Sequence, residues 1–185
     1  MDQGAVIQGW KTAAIGYTVS LAASFLSGVM PSMPFWNALS YFGLVYFLYG
    51  LWRVGRASRR MEVFSLNLWA TLIQYASMVL FGLAFRPVWE RPEALFETLN
   101  AGMLLYGFLA YAGFVYGSYL EMKGMAALAE VGRVPLLEKA ARWIFWGALL
   151  LPLVIGLFVL AGAYLVIAVA LWQGPKLEAD AGFEV

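Results

Sequence analysis

The chain contains no cysteine and no histidine. Without thiols there are no disulfides, thiolate metal sites or cysteine nucleophiles. Without imidazole, His-ligated haem and zinc and the usual acid–base group near neutral pH are also missing. Charge is scarce: Asp, Glu, Lys and Arg make up 12% of the residues, against about 25% in soluble domains. These shortages set the expectation of a protein that is not an enzyme, with no catalytic residues, no metal site and no cofactor.

What the chain has instead is apolar length. Hydrophobic residues reach 63% and the mean hydropathy is +0.75. Runs long enough to cross about 30 Å of hydrocarbon recur along the sequence. No segments of roughly ten alternating residues, as a membrane barrel would need, are visible. The expected fold class is therefore all-α: a polytopic transmembrane helical bundle forming a single domain over residues 1–185.

The runs place spans at 12–30, 36–52, 63–85, 101–120, 136–151 and 157–172. The first follows a weakly basic start and is longer than a signal-peptide core, so it reads as a retained helix. Pro31 and Pro34 end it, since two prolines so close cannot continue a helix. Residues 121–134 mix apolar positions (Met122, Met125, Leu128) with Glu121, Lys123, Glu130 and Arg133. This pattern suits an interfacial helix, or else a solvated connector. Trp143 to Trp172 holds no charge and exceeds one span. Pro152 and Gly156 break it into two, giving six helices, with five as the alternative if it stays one tilted helix.

Orientation rests on Arg53, Arg56, Arg59 and Arg60, four arginines within eight residues. Lysine and arginine beside a span stay on the cytoplasmic side. With six helices, ten of the chain's 12 lysines and arginines fall on that side, with Arg86 and Arg91 opposite. The N-terminus is then cytoplasmic, and the expected location is the prokaryotic cytoplasmic (inner) membrane, crossed several times.

Two patterns could carry function. At 100° per residue, Gly102, Tyr106, Ala110, Gly113 and Gly117 share an arc of about 80°. Small residues let helices approach closely in lipid, so this face is a packing seam, within the chain or to another subunit. In the third run, Asn67, Thr71 and Gln74 share a face that is either a polar path for a solute or a site of helix–helix hydrogen bonding. Dense aromatic residues, including Tyr41, Tyr46, Tyr106, Phe108, Tyr111 and Tyr119, serve either as interfacial belts and core or as a groove for an apolar ligand. No ionisable residue lies deep in any of the runs as bounded above.

The layout resembles an uncharacterised prokaryotic integral-membrane family, a domain of unknown function found in bacteria and archaea. The resemblance is carried by the Gly43–Gly55 run ending in a basic turn, by Tyr119-Leu-Glu-Met-Lys with Leu128-Ala-Glu-Val-Gly132, and by the closing double apolar run from Trp143. It implies a small polytopic membrane protein and brings no catalytic residues. The leading functional expectation is an accessory or assembly subunit acting through helix–helix contacts. The alternative is a small pore or carrier for a neutral or lipidic solute. Expected partners are the lipid bilayer and another protein or a second copy, not nucleic acid.

Overall fold

In a computed structural model of the chain, the described residues are 2–91 and 100–177. They form six helices: α1 (Gln3–Val29), α2 (Pro34–Ser58), α3 (Glu62–Glu90), α4 (Ala101–Gly132), α5 (Pro135–Leu149) and α6 (Ile155–Gln173). No strand occurs among the described residues. Six helices are present as expected, and the single long closing helix of the five-helix alternative is not. Glu93 and Glu97, in the connection after α3, lie outside the described residues.

Several helix limits differ from the expected spans, each for a local reason. The Asp2 carboxylate accepts from Ala5 N at 3.0 Å, so α1 starts at Gln3 rather than 12. The third helix continues through Pro87 to Glu90, because a proline removes one bond near a helix end without preventing the last turn. An Arg86–Glu90 pair at 2.8 Å spans that turn. The largest difference is α4. It does not stop at 120 but runs unbroken for 32 residues, so 121–134 is no separate surface segment. Met125 and Leu128 there are fully buried.

The helices alternate in direction. Asp2 N donates to Ala57 O at 3.4 Å, and Lys176 N to Gly132 O at 2.7 Å. Arg60 bridges to Glu130 at 2.7 Å and also pairs with Glu62. One end of the bundle therefore gathers the start of α1, the α2–α3 turn, the end of α4 and the end of α6. Glu130, then Glu62, hold the Arg60 guanidinium above its ordinary value. Each helix packs on its sequence neighbours, and α6 returns to α1, closing a ring. Trp10 fastens that closure: buried, it donates from Nε1 to Leu171 O at 2.8 Å, with its ring against Gly132.

The surface is the reverse of a soluble protein's. Phe25, Leu83 and Phe158 are 72%, 66% and 74% exposed, whereas Ala13, Ala70, Ala163 and Ala170 are buried. Large apolar side chains outside and small ones inside fit a hydrocarbon surround. Four helices, α1, α3, α4 and α6, are long and apolar enough to cross a membrane. Tyrosines and Asn37 dilute α2, and α5 is only 15 residues long. The protein is a membrane-associated helical bundle.

Candidate polar centre

The glycine face and the polar face expected on separate helices are two sides of one contact. On α3 the buried residues are Val63, Asn67, Ala70 and Ser77. On α4 they include Met103, Ala110, Gly117, Gly124 and Val131, each seven residues from the last. A seven-residue repeat keeps one seam facing its partner along two long helices. A methyl group at Gly113 would overlap Ser77 Oγ, and one at Gly124 would overlap the Asn67 amide. At Gly117 it would lie 2.7 Å from Gln74 Cγ and 3.1 Å from Ala70 O.

The structure thus brings Ala110, Gly113 and Gly117 into the seam and leaves out the other two residues of that arc. Gly102 is exposed, near the Asn100 cap, and Tyr106 is 51% exposed on the outer face. Asn67 donates to Val63 O at 2.7 Å and Thr71 to Asn67 O at 2.8 Å, so both satisfy their own helix. Gln74 alone reaches across the seam. Its Nε2 donates to Ser118 Oγ at 3.2 Å and to Glu121 Oε2 at 2.9 Å.

Read from the sequence, Glu121 falls in the interfacial or connecting segment 121–134, one residue past the end of the fourth span, and not among the site residues. In the continuous α4 it lies inside the ring, partly buried. Tyr17 of α1 and Tyr164 of α6 face it within electrostatic reach. At 1.5 Å per residue, Tyr17, Gln74, Glu121 and Tyr164 sit roughly 14–21 Å from the basic ends of their helices, at one level. The Tyr17 hydroxyl is buried without a hydrogen-bond partner, and the Tyr17 ring packs edge-on to Phe47 at 5.3 Å. Four helices therefore converge on one carboxyl, one amide and three hydroxyls. Such groups can bind a small polar solute or exchange a proton.

A second close contact, between α1 and α2, was not anticipated. A methyl at Gly16 would overlap the Phe47 backbone nitrogen and lie 2.7 Å from Gly43 O. One at Gly50 would overlap Ala13 N, and one at Gly9 would lie 2.9 Å from Val54 N. Gly9 and Gly16, like Gly43 and Gly50, are seven apart, and that spacing was the available signal. Ser24 and Ser40 bond across this pair at 2.7 Å, and Ser27 donates to Asn37 at 2.6 Å.

The four orientation arginines all lie at the basic end. Arg53 donates to Gln8 at 2.7 Å, Arg56 lies 5.5 Å over the Trp52 ring, and Arg59 caps α2 with φ 59°. Arg60 makes the bridges already described. Of the aromatic residues, Phe108, Tyr111, Tyr116, Tyr119 and Phe145 line an outward groove of about 440 Å³ between α4 and α5.

Residues 39–165, more than half of the chain, match the family described as "Protein of unknown function (DUF996)". The chain belongs to that family. The DUF996 match runs from α2 into α6 and takes in Gln74, Ser118, Glu121 and Tyr164, while Tyr17 on α1 lies before it. No curated protein and no solved structure matches the chain.

Proposed function

We propose that this protein is a non-enzymatic carrier or pore for a small neutral solute, crossing a prokaryotic cytoplasmic membrane several times with its basic end inside. The observation that carries the reading is the centre of Gln74, Ser118 and Glu121, enclosed by helices whose outer faces are apolar. Polar and ionisable groups inside a span are expensive to place, and their usual justification is a substrate or ion path. The glycine faces, by contrast, are occupied within the chain, so they no longer argue for a seam to another subunit. Gathering of the orientation arginines at one end supports the sidedness.

The test is reconstitution into vesicles, with shrinkage followed by light scattering under gradients of glycerol or urea. The protein should speed entry of at least one of these, and Gln74→Leu, checked for an unchanged melting temperature, should remove the effect. Rates equal to those of empty vesicles for both solutes would count against a carrier. The aromatic groove between α4 and α5 favours a second reading, an accessory or assembly subunit whose partner fills it. Native mass spectrometry from mild detergent would then show a fixed partner bound to the chain.

A further inference from the structure

Among the described residues, Glu121 is the only carboxylate not at a helix end. Its neighbours on the packed elements are known. From α3 comes Gln74, which does not titrate; from α1 Tyr17; from α6 Tyr164. On α4 itself, Lys123 lies 4.8 Å over the Tyr119 ring. On α5 the cations are Lys139 and Arg142, in its first turns, and Arg142 pairs with Glu138. No lysine or arginine among the described residues forms a salt bridge with Glu121. A carboxylate away from water with no cation beside it carries a desolvation penalty, which taking up a proton removes.

We propose that Glu121 is a reversible proton-binding site inside the span, with Gln74 as its fixed donor. The chemistry of the partners fits both states. A side-chain amide NH2 can only donate, so Gln74 serves Oε2 whether the acid is protonated or not. The bond is stronger to the ionised acid, since a charged acceptor strengthens it. Ser118 takes the second Gln74 hydrogen and fixes the amide's orientation. The site shares its residues with the carrier reading but does not depend on it, because its test reads chemistry at one atom and not solute flux.

That test is labelling of the full chain in detergent or vesicles by a hydrophobic carbodiimide. The reagent reacts with a protonated carboxyl in an apolar setting. The acid oxygen bonds to the carbodiimide carbon, the proton passes to nitrogen, and the product rearranges to an N-acylurea. Nothing leaves, so intact mass rises by the whole reagent. The expected result is one adduct, mapped to Glu121, that declines as pH is raised and is absent in Glu121→Gln. Gln74→Leu removes the hydrogen bond that favours the ionised form, so labelling should persist to higher pH. Should Glu121→Gln fail to fold, the adduct map and pH profile of the native chain decide alone. No adduct at any pH, an adduct mapped elsewhere, or labelling that ignores pH would overturn the proposal. Loss of solute flux with labelling intact would instead remove only the carrier reading.

Discussion

Gly16 and Gly117 mark the places where two helices meet backbone to backbone, and Gly82 and Gly162 the places where a helix faces open space. Adding bulk therefore has opposite consequences within one residue type. Gly16→Leu and Gly117→Leu should each lower stability by about 1–3 kcal/mol or more, the range for overpacking. Gly162→Leu should leave it within about 0.5 kcal/mol, as for an unconstrained surface site. Thermal unfolding in one detergent compares the three. Equal melting temperatures throughout would show that these crossings are loose. The sequence revealed the Gly113/Gly117 face through its arc on one helix. It could not say what that face touched, since the partner lies some 40 residues away. The interior place of Glu121 was hidden for a different reason: its charge suggested a span limit, and its partner Gln74 lies on another helix.

Among the connections between the described helices, that of α5 and α6 is the most apolar. It lacks polar side chains, yet its backbone is satisfied internally. Leu153 N donates to Leu150 O, Val154 N to Leu151 O and Leu157 N to Val154 O, each at 3.0 Å. Such bonds matter in so apolar a turn, since lipid offers backbone groups no other partner. The geometry has a penalty at Val154, a β-branched residue held at φ 62°, where such residues are genuine outliers. Val154→Gly should raise stability by about 1 kcal/mol, since glycine enters that region freely. A lower melting temperature would show that the Val154 side chain matters more than its backbone. The break at Pro152 and Gly156 was legible as a punctuation of the apolar run. The length of α4 was not, because the mixed charges of 121–134 look like a solvent face until α3 and the core are placed against them.

On the scale of the whole molecule, three antiparallel helix pairs close into a ring whose outside is apolar and whose middle holds one carboxyl. The ring of alternating helices needs an even number of them, with both ends of the chain's described part on the basic side. That arrangement sets the level of Glu121 in the proposed membrane placement, so the placement of the turns carries the rest of the account. Because the native chain has no cysteine, single cysteines report without interference. The decisive measurement is labelling of intact cells by a membrane-impermeant maleimide, with cysteines placed singly at Ser58, Ser32 and Val154. The account predicts that Ser32→Cys, in the α1–α2 turn, and Val154→Cys, in the α5–α6 turn, react from outside. Ser58→Cys, at the basic end, should react only after the cells are opened. Reaction at Ser58→Cys in intact cells, or shielding of Val154→Cys while Ser32→Cys reacts, would contradict it.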